Sequence, residues 1–261
     1  MAAKPARVIA ILNQKGGTAK TTTAVSIAAG MARAGLKTLL VDLDPQGNVA
    51  VSLGLTCPRL IHHAFLAGTP ASAIVVRARE NLDVIGSDQG LAAVEIELAR
   101  ANAADRVKRL GEVLSTVGGY DVVLLDCAPS LSILNHNALA FAGEVLIPVS
   151  CDYLALVGVK QVLRTLRRVG EELARDIHVA GVLPTFYDVR DKVGAEVVSI
   201  LRKTFGAKTL PPIRINIKLA EAPSFKKTIF EHAPDSHGAR DYTRVVEWLR
   251  TADSAAMPRA A

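Results

Sequence analysis

The stretch "LNQKGGTAKTTTA", residues 12–24, sets two lysines, two adjacent glycines and a run of threonines side by side. Those residue types hold phosphate. Backbone N–H groups of Gly16, Gly17, Thr18, Ala19 and Lys20 can converge on one concavity and cradle anionic oxygens. A helix starting near Lys20 adds its positive end. Lys20 would then reach the β- and γ-phosphates of a nucleotide, Thr21 would ligate Mg²⁺ and Thr22 would touch the α-phosphate. The strict spacing G-x-x-x-x-G-K-[ST] is not met, because Gln14 and Ala19 stand at its glycine positions. On this stretch alone, a Gly-Gly turn capped by a threonine-rich helix start, with no nucleotide, stays open. If position 19 needs a positive φ, alanine costs on the order of 1 kcal/mol there. Lys15 reads either as a solvated loop charge or as a second cation aimed at phosphate.

Three carboxylates complete a set that could support phosphoryl transfer, Asp42, Asp44 and Asp126. Asp126 would hold the Mg²⁺ shell, through water. Asp42 also has a bland reading as an ordinary strand-end carboxylate. What places all of these together is the order of elements. "RVIAIL", "KTLLVDLD", "LDVIGSD", "DVVLLDCAPS", "EVLIPVS" and "IHVAGVLPT" are apolar, β-rich runs without clean alternation, as expected of strands buried on both faces. Helical spacing occupies Lys20–Ala34, ending at Gly35, then Leu91–Leu114 with a break near Ala101, then Leu154–Leu173. Strands alternating with helices predict an α/β fold, a mostly parallel twisted sheet with helices on both faces. Ligands of such sheets bind beyond the carboxyl ends of the strands. Lys15–Thr22, Asp42, Asp44 and Asp126 all follow apolar runs.

The 261 residues, half of them apolar, are ample for one core, and residues 1–252 read as one domain with a frayed tail at 253–261. No apolar run reaches the ~18–20 residues of a membrane span. The start of the chain reads as a first strand, not a signal peptide. Cys57, Cys127 and Cys151 are odd in number and widely spaced, so they form no metal or disulfide framework and suit a reducing cytoplasm. The net charge is +6; between Arg190 and Lys227 nine Lys/Arg stand against three Asp/Glu, a local excess equal to that of the whole chain. An anionic partner is expected to meet this segment.

Taken together, these motifs resemble the ParA/MinD ATPases. "QKGGTAKTT" fits their looser phosphate loop x-K-G-G-x-x-K-[ST], which does not require glycine at position 19. "LLVDLDPQGNVAVSLGL", "YDVVLLDCAPSL", "GVLPTFYDVR", "NIKLAEAPS" and "DSHGARDY" follow in the family's order, from about Arg7 to about Leu249. The likeness is greatest to the short chromosomal ParA/Soj type. It implies a P-loop fold of the deviant kind, with ATP and Mg²⁺ as cofactors. It implies a homodimer that sandwiches ATP, with Lys15 crossing to the partner's phosphates. Asp44 would orient or activate the attacking water, and Gln46 to Asn48 would shift with the γ-phosphate. Pro184, Pro212, Asn216 and Pro223 lie in later loops that could flank adenine, or merely shape turns.

The resemblance also implies non-specific binding of double-stranded DNA by the ATP-bound dimer. Arg190 and Lys218 are the nearest positional matches, with Arg202, Lys203, Lys208, Lys226 and Lys227 in the same basic segment. It implies a ParB-like partner that stimulates slow basal hydrolysis, and a cytoplasmic, nucleoid-associated protein that partitions chromosomes or plasmids. Two relatives by the same resemblance are rivals. A MinD-like membrane-positioning ATPase needs a C-terminal amphipathic membrane helix, and a reductase ATPase needs cysteines for a shared iron–sulfur cluster. Other ParA-like machines move a different cargo, which the sequence does not name.

Overall fold

A computed structural model describes residues 6–130, 132–153, 155–174 and 176–251. The expected tail at 253–261 lies outside them.

In chain order the elements are β1 (Arg7–Ile11), α1 (Lys20–Arg33), β2 (Thr38–Leu43), α2 (Asn48–Leu53), α3 (Ile61–Leu66), β3 (Val76–Arg79), β4 (Leu82–Ile85), α4 (Leu91–Arg100), α5 (Ala103–Arg106) and α6 (Arg109–Leu114). There follow β5 (Val122–Cys127), α7 (Ile133–Ala142), β6 (Glu144–Ser150), α8 (Ala155–Leu173), β7 (His178–Thr185), α9 (Lys192–Phe205), α10 (Ile217–Glu221), α11 (Ile229–His232) and α12 (His237–Thr251). The strands form one sheet in the order β3-β4-β2-β5-β1-β6-β7. Every pairing is parallel except β3–β4. All six expected strands are present, and the helical stretch after Leu91 breaks at Ala101 as its spacing suggests. Strand β3, "VRAR", is an addition to the expected set. Its two arginines hide it in the sequence, and it survives as a short antiparallel edge, where charge is tolerated.

Strands β2, β5 and β6 are buried at every residue, because helices cover both faces. The pleat sends alternate side chains to opposite layers. Leu39, Val41 and Leu43 pack with residues of α3, α4, α6, α7, α8 and α9. Leu40 packs with residues of α1, α2, α11 and α12. In the second layer α1 meets α12 closely: a Cβ on Gly30 would lie 2.6 Å from Val246 Cγ2. Tyr242, Val245, Val246 and Leu249, one stripe of α12, are all buried. The apolar face of this last helix is therefore used up inside the chain.

Candidate functional site

The carboxyl ends of four central strands meet at one place. Register pairs Ile11 with Asp126 across β1–β5 and with Leu146 across β1–β6, and pairs Asp42 with Asp126 across β2–β5. Residues 12–19 leave β1 here, where the chain's connections diverge to either side of that strand, the usual crevice for a ligand on an open parallel sheet.

The loop is fastened from below. Asn13, buried, donates from Nδ2 to the Pro148 carbonyl (2.6 Å), and its Oδ1 accepts the Lys15 N–H (3.0 Å). Gln14, which breaks the strict glycine pattern, donates from Nε2 to Thr165 Oγ1 on α8 (2.6 Å). The Thr185 hydroxyl, at the end of β7, donates to the Thr18 carbonyl (3.2 Å). Above these anchors the loop is open: Gly16 and Gly17 are exposed, and no atom lies within 4 Å of where a Cβ on either would stand. Ala19 is left-handed, φ 63° and ψ 34°, and its carbonyl accepts the Thr23 N–H (2.9 Å) to open α1. The strain expected of a non-glycine residue at this position is therefore present. Behind the loop, Thr23 Oγ1 and the Tyr242 hydroxyl are 2.9 Å apart, which ties the start of α1 to the "DSHGARDY" motif.

Lys20 and the three carboxylates are brought together. The Lys20 ammonium is buried, 3.4 Å from the Lys15 carbonyl. Burial lowers its pKa, while the charges of Asp126 and Asp44 push the other way. Asp126 is buried, and among the described residues neither of its oxygens has a hydrogen-bond partner. Burial raises its pKa well above the usual carboxylate range, and Asp42 raises it further; the Thr21 hydroxyl and Lys20 oppose the shift. An unpartnered buried carboxylate beside a hydroxyl fits a small divalent cation. Among the described residues no group of three His, Cys, Asp or Glu could hold a metal alone. Water and phosphate oxygens would supply the remaining ligands, which suits Mg²⁺.

Asp42 holds the turn that carries Asp44. Its Oδ1 accepts the Asp44 N–H (3.0 Å), and its Oδ2 accepts the Val49 N–H (3.1 Å). Ser87 Oγ donates to the Asp44 carbonyl (2.5 Å). Burial moves the Asp42 carboxyl up to about 7. Asp44 is partly exposed, and its Oδ1 accepts the Gln46 N–H (3.0 Å). Neither the anchoring by Asn13 nor that by Ser87 is legible in the sequence; both are common loop residues there, and only the register reveals their partners.

Lys15 is held in its own chain: its Nζ lies 2.6 Å from Asp152 Oδ2, just after β6. Asn216 caps α10, its Oδ1 accepting the Lys218 N–H (2.8 Å). The loop that contains Pro212 and Asn216 is pinned by a buried carboxylate, since Asp241 accepts the Arg214 N–H (3.1 Å), Nε (2.9 Å) and Nη2 (2.6 Å). Arg214 is thus neutralised. The basic segment does not form one patch. Arg202 and Lys203 sit in the last turn of α9, in the layer of Val197 and Leu201. Lys226 and Lys227 precede α11, whose Ile229 and Phe230 pack in the other layer. Arg190 pairs with Asp188 (2.8 Å) in the loop before α9, and Lys218 with Glu221 (2.8 Å) within α10. Cys127 and Cys151 are buried.

Known proteins resemble this chain over most of its length. A family model described as an AAA domain matches residues 6–179. The chromosome-partitioning ATPase Soj of Thermus thermophilus is 44% identical over 242 residues, 92% of this chain and 94% of that protein. The chromosome partitioning protein ParA of Caulobacter vibrioides is 38% identical over 94% of each chain. Among solved structures, cobyrinic acid a,c-diamide synthase of Mycobacterium smegmatis with bound ADP and magnesium has a TM-score of 0.81 at 34% identity, covering 98% of this chain and 100% of that one. A putative plasmid partition protein of Borrelia burgdorferi bound to AMPPNP has a TM-score of 0.80 at 20% identity, covering 94% and 99%, and speaks for the fold alone. On the phosphate loop, the paired strand-end carboxylates and the extent of these matches, the chain belongs to the ParA/Soj family of chromosome-partitioning ATPases.

Proposed function

We propose that the chain hydrolyses Mg²⁺-ATP slowly, dimerises around ATP, and as that dimer binds double-stranded DNA without sequence preference to drive chromosome or plasmid partitioning. A ParB-like partner would stimulate turnover, and the protein would reside on the nucleoid in the cytoplasm. The reading rests first on Asp126, whose two buried oxygens lack hydrogen-bond partners among the described residues, beneath an open phosphate loop.

The residues divide the work as follows. The N–H groups of residues 16–20 hold phosphate oxygens, and Lys20, already desolvated, neutralises charge that builds on the bridging oxygen. Thr21 and, through water, Asp126 would hold Mg²⁺, which would neutralise phosphate charge. Asp44 orients the water whose oxygen attacks the γ-phosphorus; the bond from that phosphorus to the bridging oxygen breaks, giving ADP and phosphate. Asp42 and Ser87 keep Asp44 in place. Lys15 leaves Asp152 for the partner's phosphates. Pro212 and Asn216 flank adenine. Arg190, Lys218, Arg202, Lys203, Lys226 and Lys227 contact DNA phosphates. Two such sets on one dimer bind together, so ATP controls DNA affinity through avidity. The apolar stripe of α12 is buried, so that helix offers no apolar face to a membrane surface, and among the described residues no helix is long and apolar enough to cross a bilayer.

The test is phosphate release with Mg²⁺-ATP, alongside sedimentation. Slow wild-type turnover is expected. Lys20→Ala should lose nucleotide affinity, and Asp44→Ala should bind ATP and dimerise without turnover. Undiminished turnover in both variants would defeat the assignment of the site.

A further inference from the structure

A second set of cations stands outside the basic segment. Lys160, Arg164 and Arg167 on α8 are exposed, as is Arg168. Their spacing places them within an arc of about 100° and along about 12 Å of helix axis. Val159, Val162, Leu166 and Val169, on the opposite side of α8, are buried in the layer beneath. The cations therefore face away from the sheet. Arg168 pairs with Glu172 (3.0 Å). Among the described residues, Lys160, Arg164 and Arg167 have no carboxylate at ion-pairing distance, whereas Arg190 and Lys218 are both paired. Like charges at i, i+4 and i, i+3 destabilise a helix, so this stripe has a cost that an anionic partner would offset.

The position of α8 gives the stripe company. It packs in the same layer as α9, and the adjacent strands β6 and β7 lie beneath them. Arg202 and Lys203, exposed at the end of α9, belong to that layer too. The stripe lies on one helix, and two of its three cations without an ion pair among the described residues are arginines, which grip phosphate bidentately. No large apolar side chain is exposed among the described side chains of α8, so it offers neither a wedge for a bilayer nor an anchor for a protein partner. Duplex DNA, with one charge per ~1.7 Å of axis, matches a short line of cations without apolar contacts.

We infer that Lys160, Arg164 and Arg167 form a second binding surface for the phosphate backbone of double-stranded DNA, extending the surface on α9. This rests on the DNA-binding reading given above. The test is fluorescence anisotropy of a random-sequence duplex across a salt series, with wild type and the triple variant Lys160→Ala, Arg164→Ala, Arg167→Ala, both carrying a non-hydrolysable ATP analogue. Every cation removed from a phosphate lowers the salt slope by about 0.9, so a fall of about two to three per protomer is expected, with affinity reduced about tenfold or more. Arg164→Lys, Arg167→Lys should keep most of the slope. Sedimentation and thermal melting establish that the triple variant still folds and dimerises. An unchanged slope in a folded triple variant would overturn this inference and leave the DNA-binding reading intact. A wild-type protein that fails to bind duplex with the analogue would overturn both. Loss of binding to anionic phosphatidylglycerol vesicles with duplex binding unchanged would assign the face to lipid and overturn the inference.

Discussion

The Lys15 ammonium lies 2.6 Å from Asp152 Oδ2 of its own chain, and Ser150 Oγ donates to the same oxygen (2.5 Å). The lysine is thus tethered at the surface and not committed to the core. Both partners are partly exposed, 32% and 46% at the side chain, and pairs of this kind contribute about 0–1 kcal/mol. A triphosphate brought close by a second subunit can displace so weak a partner. We expect Lys15→Ala to change the unfolding free energy by less than about 1 kcal/mol. It should keep nucleotide affinity as a monomer and lose turnover. Phosphate release at the wild-type rate would remove Lys15 from a cross-subunit role.

Ala19 carries the strain of the loop, because its φ is 63°. Glycine adopts this conformation without the Cβ conflict, but loses more freedom on folding. We expect Ala19→Gly to stabilise the nucleotide-free protein by about 0.5–1 kcal/mol, and Ala19→Val to destabilise it by more. Urea denaturation measures both. A Gly variant less stable than wild type would mean that residue 19 is not left-handed in solution.

Asp42 and Asp126 face each other across β2 and β5, both buried, and both carboxyls titrate above their ordinary range. A raised folded-state pKa means that the native chain binds more protons than the unfolded one between the two values. That part of the stability is full below pH ~4 and is lost as pH rises through the folded value, about 7 for Asp42. Without nucleotide, stability should therefore fall between pH ~5 and ~8, with a contribution from Asp42 on the order of 1–3 kcal/mol. Asp126→Asn removes one titrating group and the charge beside the other, so its fall should be smaller. Parallel pH profiles for wild type and Asp126→Asn would contradict the coupling.

Arg190 and Lys218 spend their charge on close neighbours in the chain, Asp188 and Glu221. Such exposed pairs open readily in favour of phosphate. Arg190→Ala or Lys218→Ala should weaken DNA binding by the ATP-bound protein and leave ATP-driven dimers intact. Electrophoretic mobility shifts with a trapped triphosphate, paired with sedimentation, separate the two effects. Full DNA retention by either variant would exclude that residue.

The sequence by itself determined the sheet, its helices and the chemistry along its carboxyl edge. Apolar runs long enough to be buried on both faces, each followed by Lys, Thr or Asp, leave little choice of side for a ligand. It left open whether Ala19 is strained, which the structure answers with a φ of 63°. Only the tertiary structure decided which carboxylates are locked and which are open. Asp42 and Asp44 stand two residues apart at the end of β2, yet one is locked by Val49 and Asp44 N–H groups while the other is partly open. It likewise split the basic segment across two layers, neutralised Arg214 with Asp241, and set an exposed cationic stripe on α8. The physical reason is range. Period and burial are local properties that a chain carries along its length, whereas ion pairing and the partner of a loop residue depend on register between segments far apart in sequence.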